Sequence, residues 1–168
     1  MDKSILNICQ VSLARDIPII IENYKEFKKF YNEVKFFVIC PKKEIDLFNK
    51  YLNFPEIELV DEDSLITLSN FNLIFEDLSF DVDYKEEFRN RLNWYYQQVL
   101  KISFVLNFIQ NEKKDIVIWD ADTVLLKKIK FFDGNKSFKY GTFFEFHKPY
   151  YITNQFIIKK QPKYFISF

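Results

Sequence analysis

Two carboxylates close an apolar run in Asp115-Ile116-Val117-Ile118-Trp119-Asp120-Ala121-Asp122-Thr123. A short apolar stretch bounded by polar residues reads as a strand buried on both faces of a sheet. Alternate strand residues point the same way, so Asp120 and Asp122 sit side by side wherever strand geometry persists. Close carboxylates repel each other, and one of them then resists ionisation. A bound Mg2+ or Mn2+ removes that repulsion, because hard cations prefer oxygen ligands. The carboxyl edge of a parallel sheet is also where open α/β folds place ligands. A strand end capped by solvated acids is the plainer alternative, since such acids are common at turns.

The elements that would position this pair follow from hydrophobic spacing. Residues 5–9 read as a first strand. Residues 16–31 form a helix, with Ile20, Tyr24, Phe27 and Tyr31 at helical spacing and Pro18 in the first turn. Residues 35–40 make a second strand stopped by Pro41. Residues 42–52 form a short helix, and residues 57–60 a third strand ahead of Asp61, Glu62 and Asp63. The alternation predicts an α/β fold, a Rossmann-like, mostly parallel sheet flanked by helices. Residues 64–84 read as either a helix or a packed loop. From 84 to 110, Phe88, Leu92, Tyr95, Val99, Ile102, Leu106 and Ile109 recur every three or four positions and define one buried helix face. A second line on that helix, Arg91, Trp94, Gln98 and Lys101, mixes a donor amide, two cations and an indole. It reads either as an ordinary boundary face, with long basic stems lying across apolar surface, or as a surface turned toward a ligand near the strand that follows. Beyond the acidic pair, 123–126 and 129–132 are short extended or helical pieces, 133–135 a turn, 140–146 a strand with aromatic alternation, and 152–158 a strand or helix start.

Composition bounds the rest. The 168 residues fit one domain, and 48% hydrophobic content supports a real core. The 21 Phe against 2 Gly suggest an AT-rich coding bias, so the Phe excess is not read as a functional array. With 24 basic and 24 acidic residues, the chain offers no general electrostatic case for nucleic acid. Cys9 and Cys40 lie near the ends of apolar stretches and read as buried, reduced thiols without a zinc pattern. No apolar run reaches the roughly 18 residues of a transmembrane helix, and the amino terminus is too polar for a secretory signal. The expected compartment is the cytoplasm, compatible with peripheral attachment to the inner membrane.

Three stretches together carry a resemblance. They are Trp94-Tyr95-Tyr96-Gln97-Gln98-Val99-Leu100-Lys101, then Ile116 to Thr123, then Phe131-Phe132 with Glu145-Phe146-His147-Lys148-Pro149-Tyr150-Tyr151. In combination they resemble bacterial DUF6492-type proteins, which look like GT-A-fold glycosyltransferases. The likeness is best over 88–158 and weaker over 1–63. It implies a metal-dependent transfer of a sugar from a nucleotide-sugar donor to a glycan or glycolipid acceptor, such as a bacterial surface-glycan intermediate. By position, Asp122 would be the stronger ligand of an Mn2+ or Mg2+ ion on the donor diphosphate, with Asp120 on the metal or on the donor ribose and sugar. Such a metal acts as a Lewis acid on the departing diphosphate. Gln10, Val11 and Ser12 follow the first strand, where the family places nucleotide contacts. Asp63 would meet base or ribose, and Lys101 or Arg91 phosphate oxygens. His147, the sole histidine, shares a strand face with Glu145, so either would orient the acceptor hydroxyl or act as base.

The resemblance breaks after 152–155. A complete GT-A domain runs past this length, so the chain is expected to lack the acceptor-binding portion. Two rivals follow. One is an inactive remnant that binds nucleotide-sugar or a partner, with an unburied apolar face favouring a homodimer. The other is a haloacid-dehalogenase-like phosphatase, whose first motif also fits Asp120-Ala121-Asp122-Thr123-Val124. That motif normally opens its fold, and no acidic pair follows here.

Overall fold

A computed structural model of the protein describes residues 5–77, 89–133 and 136–137. The chain divides into two compact units, Met1–Lys128 and Ile129–Phe168. The first unit is built on β1 (Leu6–Val11), α1 (Ile17–Phe30), β2 (Val34–Cys40), α2 (Ile45–Tyr51), β3 (Ile57–Asp61), α3 (Leu68–Asp77), α4 (Leu92–Glu112) and β4 (Ile116–Ile118). The strands form one sheet in the order β3-β2-β1-β4, and every pairing is parallel. This is the expected Rossmann-like α/β arrangement. In the second unit, β5 (Phe132–Asp133) pairs antiparallel with β6 (Lys136–Ser137). Of the turn expected at 133–135, Asp133 closes β5 and the other two residues lie outside the described residues, as do the strand expected at 140–146 and the strand or helix start expected at 152–158. No described helix is long and apolar enough to cross a membrane.

A parallel sheet must be covered on both faces, and its strands alternate their side chains accordingly. Register aligns Ile8 with Phe36 and Cys9 with Phe37. Phe36 meets α1 through edge-on contacts with Phe27 and Tyr24, at 5.4 and 6.0 Å between ring centres. Phe37 meets α4 through Phe104 and Phe108, at 5.2 and 5.1 Å. On the α4 side, Cys9, Ile39, Phe71, Tyr96 and Leu100 form one buried cluster. Phe71 belongs to α3, so residues 68–77 are a helix packed on this core and not a loop.

The buried face of α4 differs from the expected one. Tyr96, Leu100, Lys101 and Phe108 are buried, whereas Ile102, Leu106 and Ile109 are 54%, 54% and 47% exposed. Leu92, Tyr95 and Val99 are only partly buried. The helix carries apolar side chains around most of its circumference, so periodicity alone does not select the side that packs. The row Tyr96, Leu100, Phe104 and Phe108, spaced every four residues, fits the aromatic floor of the sheet better. The helix ends at Lys113, whose φ of 53° lies in the left-handed region while its amide bonds to the Ile109 carbonyl at 3.0 Å.

Both cysteines are free and fully buried. Burial pushes the Cys9 thiol up to about 12, against a smaller opposing pull from Lys101. Burial, reinforced by Glu62, Asp61 and Glu44, takes Cys40 to about 12 as well.

Two outcomes follow. Neither thiol reacts with an aromatic disulfide reagent at pH 8 until denaturant is added, and both then titrate. Above the ordinary thiol value of 9.0, the unfolded chain sheds protons that the folded chain keeps, so stability falls as pH rises from about 9 toward 12, measurable by urea unfolding. Separately, Lys113→Gly relieves the left-handed cost at the end of α4 and raises unfolding free energy by about 1 kcal/mol, whereas glycine at an exposed position inside α4 lowers it by about as much.

Candidate functional site

The strand order places β1 and β4 side by side, yet the chain leaves β1 toward α1 on one face and reaches β4 from α4 on the other. Loops diverge at such a junction and open a crevice beyond the carboxyl ends of the strands. The chain segments at that edge are the end of β1 with Ser12, and residues 119–123. β1 extends through Val11, so Gln10 and Val11 are strand residues and only Ser12 follows the strand, a correction to the expected boundary.

The strand containing the acidic motif also stops earlier than expected. β4 ends at Ile118. The Trp119 amide still bonds to the Cys9 carbonyl at 2.9 Å, and the chain then turns, with the Thr123 amide donating to the Asp120 carbonyl at 3.1 Å. Asp120 and Asp122 therefore belong to a turn, and the strand argument for parallel side chains does not apply to them. Both residues are open to solvent. The reason for the stop is local: among the described residues β4 pairs on one edge, with β1, and Asp favours turns.

Three contacts besides the turn bond clamp this backbone. The indole Nε1–H of Trp119 donates to the Thr123 carbonyl at 2.8 Å. The Trp119 ring meets Phe27 edge-on at 5.2 Å. Asn23 of α1, fully buried, donates through Nδ2 to the Ala121 carbonyl at 3.1 Å, between the two acids. Asn23 was not among the residues singled out above. Its signal was available: it lies three residues after Ile20 and four before Phe27, a polar side chain on an apolar helical line.

Lys101 reaches the turn from the opposite face. Its Nζ lies 2.5 Å from Asp120 Oδ1, with the lysine side chain 7% exposed and the aspartate 46%. The pair is thus buried at its cationic end and open at its anionic end. Of the line Arg91, Trp94, Gln98 and Lys101, only Lys101 meets the motif. Arg91 is exposed at the start of α4, about 15 Å away along the helix axis at 1.5 Å per residue. Trp94 is largely exposed and packs edge-on against Tyr95, and Gln98 is half-buried.

On the α1 side, three buried polar residues lie at or near the same edge. Gln10 and Asn23 are fully buried and Ser12 nearly so. Both amide atoms of Gln10, the Ser12 hydroxyl and Asn23 Oδ1 have no hydrogen-bond partner among the described residues. Buried polar atoms without partners are rare in native proteins and concentrate where a ligand or water completes the network.

Asp63 is exposed in the short turn after β3, where its amide bonds to Asp61 Oδ1 at 3.0 Å. β2 separates that strand from β1, and no described hydrogen bond or ion pair joins Asp63 to the motif turn. The acids there act on their own neighbours. Burial, then Asp63, Asp61 and Glu44, holds the Glu62 carboxyl above its usual range. Burial, then Glu62, Asp63 and Asp61, pushes the Tyr96 hydroxyl to about 12 while it donates to the Ile66 carbonyl at 2.7 Å. Among the described residues, no group of three or more His, Cys, Asp or Glu side chains is arranged to hold a metal. Glu145 and His147 lie outside the described residues. A cavity of about 370 Å³ opens at the other, amino edge of the sheet, floored by Phe37 and Phe108 and rimmed by Asn7 and the Lys35–Glu58 ion pair.

No curated protein and no solved structure matches the chain. A model described as a family of unknown function, DUF6492, matches residues 13–163. That span takes in most of the 168 residues, and the chain belongs to the DUF6492 family.

Proposed function

We propose that this protein binds a nucleotide-sugar at the carboxyl edge of β1 and β4 and is the donor-binding part of a metal-dependent glycosyltransferase of the GT-A type, acting on a glycan or glycolipid acceptor. The observation that carries the reading is the clamped turn 119–123, which offers Asp120 and Asp122 to solvent beside the buried ammonium of Lys101. Two carboxylates alone suit a cation that keeps waters and takes further oxygens from phosphates, the usual way Mg2+ is held in phosphate-handling sites. The donor set therefore fits Mg2+ or Mn2+ delivered with a diphosphate. Bound there, the ion would supply Lewis-acid stabilisation of the departing nucleoside diphosphate.

The chain's own residues do the rest. Asp122 and Asp120 bind the cation through carboxylate oxygens. Lys101 offers a second positive charge to the diphosphate, in a setting where burial strengthens its field. Gln10 and Ser12 supply amide and hydroxyl groups for the nucleoside or for ordered water at the floor of the crevice. Asn23 and Trp119 touch no donor; they hold the turn in place. By the resemblance alone, Glu145 and His147 are proposed to orient or deprotonate an acceptor hydroxyl.

Thermal unfolding of the full chain with a panel of nucleoside diphosphates, with and without Mn2+, checks this reading. One nucleotide plus Mn2+ stabilises by about 2.7 kcal/mol when present at a hundredfold excess over its Kd, and Asp122→Ala removes the effect. Equal stabilisation of wild type and Asp122→Ala refutes it. A further measurement concerns Asn23→Leu, which orphans the Ala121 carbonyl and lowers unfolding free energy by about 1–3 kcal/mol. The same variant weakens Mn2+-dependent nucleotide binding, whereas unchanged binding would make Asn23 a purely structural residue.

A further inference from the structure

The ion pair between Lys101 and Asp120 sets a condition on how the site is filled, and this deduction rests on the reading above. Lys101 is enclosed by α4 and the sheet, and Asp120 is its one described acidic partner. Taking Asp120 away would leave a buried ammonium without a counter-charge, a far worse state than either the pair or an exposed lysine. A divalent cation arriving alone at Asp120 would do this, and would also set a second positive charge beside the first. A diphosphate arriving alone would meet Asp122 and Asp120 unscreened. Arriving together, the two solve both problems: the cation takes the carboxylates and the phosphate oxygens take the ammonium. The Lys101 stem, with four flexible carbons, can follow its charge from one oxygen to another close by.

We propose that Lys101 is an internal stand-in cation for Asp120 that must be handed to a diphosphate before Asp120 can accept a metal, so that metal and diphosphate bind as an obligatory pair. The exposure of the two partners supports this direction of exchange. Asp120 faces solvent, where a metal and its diphosphate arrive, whereas Lys101 is buried, so its ammonium leaves Asp120 only for another anion placed against the turn. The device makes metal binding strongly coupled to nucleotide binding, and by linkage the coupling is reciprocal. It would also keep the site from collecting free Mn2+ in the absence of donor.

The experiment measures Mn2+ occupancy of the full chain from the EPR signal of the free ion, alone and with the nucleoside diphosphate from the panel that stabilises it most. Diphosphate binding is measured by calorimetry with and without Mn2+. In the wild type each ligand tightens the other at least about tenfold. In Lys101→Met, Mn2+ alone binds about tenfold more tightly than in wild type and the coupling falls about tenfold, to what shared metal–phosphate ligation alone supplies, while Lys101→Arg retains it. Asp120→Asn gives an independent arm that leaves Lys101 in place: the lysine is released, so metal-free diphosphate binds more tightly than to wild type. Wild-type coupling preserved in Lys101→Met, or metal-free affinity unchanged in Asp120→Asn, overturns the exchange. Binding of both ligands without mutual enhancement overturns the exchange but leaves the donor-binding reading standing. No binding of either overturns both.

Discussion

The strand β1 is the constraint on which the site depends. It is paired on both sides, with β2 and with β4, and covered on both faces, by α1 and by α3 with α4. A strand in that position cannot slip by one residue, because a slip would exchange the side chains facing the two helical layers. Its carboxyl end is fixed with the same firmness. The Cys9 carbonyl takes the Trp119 amide, so the register of β1 directly sets where the turn 119–123 begins. Asn23 then ties the middle of that turn to α1, and Lys101 ties its first acid to α4. Both helical layers therefore converge on five residues.

That convergence separates rigidity from availability. The backbone of the turn is bonded at Asp120, Ala121 and Thr123, and Ala121 is buried. The two acids on either side of Ala121 are solvent-accessible. Carboxylates held this way lose little further freedom on taking a cation, which is the benefit of a preorganised site. Among the described residues, the charge compensation in place is the buried Lys101. A surface lysine would have served as well for stability, since exposed ion pairs contribute little. A buried one is costly to install and therefore a stronger pointer to chemistry than the acidic pair by itself.

Much of the architecture was legible in the sequence because parallel strands leave a plain record. The strands read at 5–9, 35–40 and 57–60, separated by helical spacing, have few other readings, and the parallel order follows from their alternation with helices. Prolines and acids marked several of the ends. Much of what was illegible had one cause, an excess of apolar side chains. On α4, aromatic and aliphatic residues occupy more than one face, so the line Leu92, Tyr95, Val99, Ile102 and the line Tyr96, Leu100, Phe104, Phe108 compete, and only the sheet's own Phe37 and Cys9 decide between them. The same excess hid Lys101, which spacing placed on a boundary face and packing buries. The extent of β4 was illegible for a different reason: Trp119 continues the ladder through its backbone, while the residues after it turn. Asn23 was legible in principle, as a polar break in an apolar helical line, but only a partner across the fold gives such a break a meaning.

The early end of β4 bears on how the proposed cation would be held. In an extended strand, Asp120 and Asp122 would point in parallel and repel at short range, and a cation would be needed to hold them together. In a turn, their separation is set by the bonded backbone, and Asp120 already has an ammonium beside it. The resting site is thus electrostatically settled without an ion, and a cation gains only the difference between itself and Lys101. On the proposed reading, affinity for a metal would then come largely from what the metal brings with it. An anion with several oxygens, able both to ligate the ion and to satisfy the displaced lysine, is the partner for which that arrangement makes physical sense.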